Sequence, residues 1–258
     1  MGKALNLKDF IRISLTLTRA QMKSRYRKTI AGFLWVVLNP ILLFGVHALI
    51  FKAILKVNIP NYFLFLLGGL LPWIFITNNI SMATSTFVIQ RDIIRSFSLS
   101  PLALLFSQTL DNFINFLAAF ALLLISLIIY SPALNTSLLL LPIAIMLLLF
   151  FTLALTTILA TFQVFFRDVQ FITQFINNIL YLLTPIFYSP EYIPENYRWL
   201  VNFNPYYIVI RPFQLVLNNY GEIQIAPSFF TATILCVVIS LLALFVWKKA
   251  KRKIYYFI

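Results

Sequence analysis

The sequence predicts an all-α integral membrane protein: six transmembrane helices, an N-terminal amphipathic interfacial helix, and short re-entrant external helices between the last two spans. Three observations carry that prediction. Of 258 residues, 61% are hydrophobic and 10% charged, against roughly 25% charged in soluble globular domains. Apolar runs long enough to cross a bilayer, about 20 residues each, recur along the whole chain. These runs are continuous, as in LLLLPIAIMLLLFF at residues 138–151, whereas the strands of a transmembrane barrel alternate apolar and polar residues over segments of roughly 10.

The first element is a helix over residues 7–28. Lys8, Arg12, Arg19, Lys23 and Arg27 form one stripe, and Phe10, Ile13, Leu17 and Ala20 take the opposite face. With Asp9 as its one acid, this helix is expected to lie at the membrane interface. KSRYRKTIAGFLWVVLNP, residues 23–40, then turns from cationic to apolar. Arg25, Arg27 and Lys28 stay among lipid headgroups while Phe33, Leu34, Trp35, Val36 and Val37 enter hydrocarbon. The apolar run that follows exceeds a signal-peptide core and has no small-residue cleavage site after it, so it is expected to remain in the mature chain.

Run lengths place the spans at residues 30–51, 62–89, 102–130, 138–165, 171–188 and 229–247. Six crossings put both termini on one side, and that side collects 16 of the 20 basic residues. The positive-inside rule makes it the cytoplasm. The organisation expected is therefore a cytoplasmic interface helix at 1–29, a transmembrane domain at 30–247 and a basic cytoplasmic tail at 248–258. Between the last two spans, residues 189–228 hold Pro190, Pro194, Pro205, Pro212 and Pro227. The stretches 199–203 and 209–218 are long enough for short helices and too short to span, which suggests re-entrant or surface-lying pieces over an external mouth.

Charge then limits the function. No Asp, Glu, Lys or Arg occurs in residues 29–51, 57–90, 112–166, 169–190 or 223–247, whereas ion-coupled transport needs ionisable groups at membrane depth. Asp111, near the start of the third run, is expected to cap a helix or face the surface. His47 is expected to be packed or singly hydrogen-bonded. No catalytic set and no metal-ligand cluster can be assembled, and Cys236, the single cysteine, reads as a small buried residue. Cationic residues gather at the ends of apolar runs, which favours lipid headgroups over nucleic acid. The six glycines form no phosphate-binding loop. Uphill transport would therefore draw on a partner, and QRDIIRSFSLS at 90–100 and FRDVQ at 166–170 offer docking surfaces through Arg91, Asp92, Arg95, Arg167 and Asp168.

Four stretches carry a family resemblance: KSRYRKTIAGFLWVVLNPIL at 23–42, GGLLPWIFITNNI at 68–80, FFRDVQFITQFINNILYLLTPIFY at 165–188 and IPENYRWLVNFNPYYIVIRPFQLVL at 193–217. With the order of the runs, they make the chain resemble the membrane permease subunit of polysaccharide-exporting ABC transporters of the type-2 exporter class, which move O-antigen, teichoic acid or capsular polysaccharide. The resemblance implies a homodimer in the bacterial inner membrane, paired with two copies of an ATP-binding subunit. ATP and Mg would be held by that partner, and no cofactor by this chain. It implies ATPase coupling through the N-terminal helix, with Arg12 and Arg19, and through the loop bearing Arg91, Asp92 and Arg95; Arg167 and Asp168 join them as the second docking turn. It also implies an external gate around Trp199, Asn204, Pro205 and Arg211. One departure is visible: the second-to-third span loop of the family usually has a basic Phe-Pro-Arg-like stretch, and RSFSLSPLAL keeps only Arg95 and Pro101.

A lipid-linked polysaccharide needs aromatic faces, hydroxyl or amide partners, and few fixed charges. The chain supplies 27 Phe, 12 Tyr and 4 Trp, together with Thr77, Asn78, Asn79, Gln174, Asn177 and Asn178 in apolar surroundings. Trp35, Phe175, Tyr181, Asn177 and Asn178 are the residues assigned to the path. A permease for a drug or simple lipid would have a narrow apolar path instead, and a membrane enzyme acting on polyprenyl phosphates would need charged residues clustered at one face.

Overall fold

The computed structural model describes residues 7–27, 32–96, 99–130, 136–218 and 222–257. Lys28 of the cationic collar, residues 97–98 of the docking segment at 90–100 and residues 131–135 of an expected loop lie outside the described residues. All regular structure among the described residues is helical. In chain order the helices are α1 (Leu7–Tyr26), α2 (Trp35–His47), α3 (Tyr62–Ala83), α4 (Thr86–Ile89), α5 (Arg91–Ser96), α6 (Pro101–Tyr130), α7 (Leu141–Phe165), α8 (Val169–Leu183), α9 (Arg198–Asn202), α10 (Pro205–Leu217) and α11 (Glu222–Phe257). Among the described residues, five stretches are long and apolar enough to cross a membrane: Gly32–Ile54, Tyr62–Ile89, Pro101–Ile128, Thr136–Phe165 and Gln224–Ile254.

The fifth expected span is shorter. The apolar run 171–188 is helical only through α8, 15 residues, or about 22 Å at 1.5 Å per residue. Pro185 ends it by forcing the preceding residue out of helical geometry, and Thr184 is extended at φ −86°, ψ 126°. The second span is a helix interrupted at residues 84–85 and resumed as α4. The first enters through a short 3-10 turn at Gly32, whose φ of +50° suits glycine. It continues beyond α2 as a π-helical stretch, Ala48–Ile54.

The core is built around α10. Ten of its residues are buried, from Tyr206 to Leu217, and it packs against α3, α7 and α11. It is enclosed by other helices, not laid over the surface. Asn204 starts it: the side-chain oxygen accepts from the backbone N–H groups of Tyr206 and Tyr207 at 3.0 and 3.3 Å, with Pro205 in the first turn. The approach to α3 is close, because a Cβ added at Gly69 would stand 2.7 Å from Gln214 Nε2 and one at Gly68 2.9 Å from Leu217 Cδ1. Several polar groups inside the bundle find carbonyl partners. Thr152, Thr156, Thr157 and Thr161 of α7 donate to carbonyls one turn back, and the Cys236 thiol reaches Leu147 O across helices at 3.3 Å.

At the opposite end a second apolar cluster joins Phe87 of α4, Ile94 of α5, Leu104 and Leu105 of α6, Ala160 of α7 and Ala250 and Ile254 of α11, with Leu17 of α1 against it. Two expectations change here. Residues 248–257 are the last turns of α11 rather than a tail, since Ala250 and Ile254 are buried. And α1 is rotated from its expected pose. Ser14 and Thr18 are its buried residues, Ala20 is exposed, and the docked face runs from Phe10 to Gln21 against α6. Thr18 Oγ1 donates to Ser107 O at 3.1 Å, Gln21 to Ser107 Oγ at 3.3 Å, and Phe10 meets Phe106 at 5.8 Å. Small hydroxyl side chains allow that approach, and Ile11 and Leu15 are the large apolar residues left exposed. Lys8, Arg12, Arg19, Lys23 and Arg27 line the free side, as the spacing predicts.

Candidate functional site

On α8 the residues Gln174, Asn177, Asn178 and Tyr181 recur at helical spacing and face one side. They meet Trp73, Thr77, Asn78 and Ser81 of α3 across a furrow of about 440 Å³. All eight lining residues are uncharged. Three aromatic rings close one end: Trp73 lies 5.5 Å from Tyr181 and 5.4 Å from Tyr206. Tyr206 Oη donates to Asn177 Oδ1 at 2.8 Å, which joins the start of α10 to the furrow. Amides, hydroxyls and ring faces without fixed charge can hydrogen-bond sugar oxygens and cover sugar C–H surfaces.

Of the five residues assigned to a path, the structure brings Tyr181, Asn177 and Asn178 together here. Trp35 and Phe175 are not among them. Phe175 is 67% exposed on the outward face of α8, because the polar stripe of that helix claims the inward one. Trp35 borders a separate cavity of about 270 Å³ between α2, α3 and α6, with Asn39, Asn78, Asn115 and Arg25 also on its wall. Asn78 touches both spaces.

Arg25 is the largest departure from expectation. Its guanidinium turns inward to Asp111 at 2.5 Å and to Asn112 Oδ1 at 3.0 Å. Asn112 continues to Asn79 Oδ1 at 3.2 Å, and Asn79 to Phe75 O at 2.7 Å. Asp111 is 1% exposed, so it is neither a cap nor a surface group. It is the buried half of an ion pair that fixes α1 to α6. His47 is likewise bonded twice rather than once, to Leu43 O at 2.6 Å and to Tyr181 Oη at 2.5 Å.

The docking residues stand apart from the furrow. Arg91, Asp92 and Arg95 are exposed on α5, and Ile94 between them is buried in the cluster described above. Arg167 and Asp168 are exposed on the turn before α8. Gln163 holds that turn, donating to Arg167 O at 3.0 Å and accepting from the Gln170 N–H at 2.8 Å. Arg12 and Arg19 are exposed on α1. Of the gate residues, Trp199 is exposed on α9, Arg211 lies 6.0 Å from the Tyr207 ring, and buried Asn204 with half-buried Pro205 forms the start of α10. Among the described residues, no three His, Cys, Asp or Glu gather to hold a metal.

Residues 14–218 match the family model described as ABC-2 type transporter. The chain belongs to that family. Curated relatives agree: an O-antigen export system permease protein RfbA of Klebsiella pneumoniae is 29% identical over 238 residues, covering 90% of this chain and 91% of the relative. One of the same name from Myxococcus xanthus is 31% identical over 210 residues, covering 81% and 78%. As an ABC-2 type transporter subunit, the chain is a multi-pass membrane protein that works with an ABC ATPase.

Several residues that shape this ABC-2 subunit escape sequence reasoning. Gln163, Tyr206 and Gln214 look like ordinary polar or interfacial residues, and no local pattern tells what each one meets. Asn204 is different: Asn-Pro before an apolar run is a helix-start signal, and Asn204 does cap α10.

Proposed function

We propose that this chain is the permease subunit of an exporter for lipid-linked polysaccharide of the O-antigen kind, driven by ATP hydrolysis in a separate subunit. The observation that carries the reading is the uncharged furrow between α3 and α8, lined by four amide side chains, two hydroxyl residues, Trp73 and Tyr181. A drug or simple-lipid permease has no need of so many amides at membrane depth. The similarity to O-antigen export permeases over most of both chains supports the same substrate class.

In this reading the chain works as a homodimer with two ATPase copies in the bacterial inner membrane, both termini in the cytoplasm, and ATP and Mg belong to the partner. The chain itself performs no chemistry. The ATPase engages α5 and the turn at Arg167–Asp168. Ile94 then passes displacement of α5 into the cluster shared by α1, α6, α7 and α11, and the exposed cations of α1 take part at the same face. Rigid helices packed on one cluster move together, which links the motor to the spans around the furrow.

The test is complementation. The chain is expressed with the ATPase encoded beside it in a bacterium lacking its own O-antigen permease. Polysaccharide at the cell surface supports the proposal. Formation of an active ATPase complex while lipid-linked polysaccharide accumulates inside overturns it.

A further inference from the structure

His47 is the single histidine of the chain, and it stands where α2 gives way to the π-helical stretch Ala48–Ile54. Such stretches widen a helix and often mark functional positions. The two ring nitrogens have different partners. Leu43 O, 2.6 Å from Nδ1, can only accept, so Nδ1 carries the proton. In the neutral ring Nε2 is then an acceptor, and the Tyr181 hydroxyl donates to it at 2.5 Å. The imidazole also lies flat on buried Phe187, with centroids 4.3 Å apart and planes 8° apart. Phe51, one turn on, stacks on Phe187 as well at 5.2 Å. Phe187 in turn meets the Tyr181 ring edge-on at 5.0 Å.

These contacts leave Tyr181 in a defined pose. Its hydroxyl belongs to the first span, and its ring belongs to the furrow, 5.5 Å from Trp73. A half-exposed tyrosine without such a tether would exchange rotamers, and ordering it would cost binding free energy each time a ligand arrived. We propose that His47 is a positioning residue of the furrow: by accepting the Tyr181 hydroxyl it fixes that ring beside Trp73 as a preformed aromatic wall, and it ties the first span to α8. This rests on reading the furrow as the glycan path. It assigns Tyr181 a contact through its ring, with no hydroxyl left to donate to sugar.

The test uses the complete complex with its ATPase in proteoliposomes, with purified lipid-linked O-antigen as probe and glycan-stimulated ATP hydrolysis as readout. H47F keeps the stack on Phe187 and removes both nitrogen contacts; Y181F keeps the ring and removes the hydroxyl. Each is expected to raise the half-saturating glycan concentration about fivefold, the equivalent of one net hydrogen bond, and H47F to lower the maximal stimulated rate less than twofold. The H47F/Y181F double variant is expected to equal either single one, Y181A to be worse than Y181F, and H47Q, which restores an acceptor, to recover part of the loss. A purely structural defect would lower the maximal rate in step. An unchanged half-saturation in H47F, or single penalties that multiply in the double variant, overturns the positioning role. If H47F does not assemble, Y181F decides alone. A complex without substitutions that hydrolyses ATP but ignores the glycan overturns the glycan path itself, and with it the proposal.

Discussion

Gly69→Ala tests how α10 is seated. The added methyl would stand 2.7 Å from Gln214 Nε2 and 3.2 Å from Ile186 Cγ2, with the Ile186 backbone at 3.4 Å. Gln214 is 2% exposed and donates to Pro185 O at 3.0 Å, so its amide has to abandon that carbonyl to make room. The hydrogen bond is worth about 0.5–1.5 kcal/mol, and overpacking a close-packed site costs about 1–3 kcal/mol. Together they give roughly 3 kcal/mol, which at about 3 °C per kcal/mol for a chain of this size lowers the melting midpoint by about 9 °C. Gly68→Ala meets only the end of the Leu217 side chain at 2.9 Å, and about a third of that shift is expected. The assay is thermal unfolding of the purified permease in detergent, followed by tryptophan fluorescence. A second background sharpens it: with Gln214→Ala the steric part of the Gly69→Ala penalty shrinks. A Gly69→Ala protein that melts within about 2 °C of the parent, or a penalty unchanged in the Gln214→Ala background, would refute this account of the packing.

Three further outcomes follow from the same contacts. Arg25→Ala strands a carboxylate that is 1% exposed and should cost about 3–5 kcal/mol; Asp111→Ala leaves a guanidinium that water can reach and should cost less, with the double variant recovering part of the Arg25→Ala loss. Equal melting penalties for the two single variants would contradict the buried pair. Ile94→Ala removes the anchor of α5, fully enclosed at 1% exposure, and is expected to leave ATP hydrolysis in the complex while polysaccharide export falls at least threefold, on the order of 1 kcal/mol of lost coupling; proportional losses of both would count against a transmitting role. Gln163→Ala takes away both hydrogen bonds that shape the Arg167–Asp168 turn, so binding of the ATPase should weaken roughly five- to tenfold in pull-down titration, and an unaltered affinity would remove that turn from the interface.

The apolar runs, the two short helices between the last two of them and the cationic stripe of α1 were legible because each depends on local composition or helical period. The helix over 199–203 is observed as Arg198–Asn202, and the α10 pattern begins four residues earlier than its apolar content suggests, at Pro205. Thr77, Asn78, Gln174, Asn177 and Asn178 stood out in the sequence as polar residues in apolar runs, and Tyr181 as an aromatic one. That they face one another was not legible, and Ser81 looks like an ordinary residue of a span until α3 is placed against α8. Trp35 went to another cavity for the same reason: an interfacial tryptophan announces its depth in the bilayer and not the helix it will face.

By itself the sequence determined the solvent in which this chain folds, the lengths of most crossings, and the scarcity of charge in its apolar runs. These are transfer properties, additive over neighbouring residues, and need no knowledge of packing. Tertiary structure alone decided that Arg25 meets Asp111, that His47 holds Tyr181, that α1 rests on α6 through Ser14 and Thr18, and that α10 is enclosed by α3, α7 and α11. Helical period says which residues share a face. What that face meets depends on shape and on pairing of polar groups between segments far apart in the chain, where leaving one such group unpaired in hydrocarbon costs several kcal/mol.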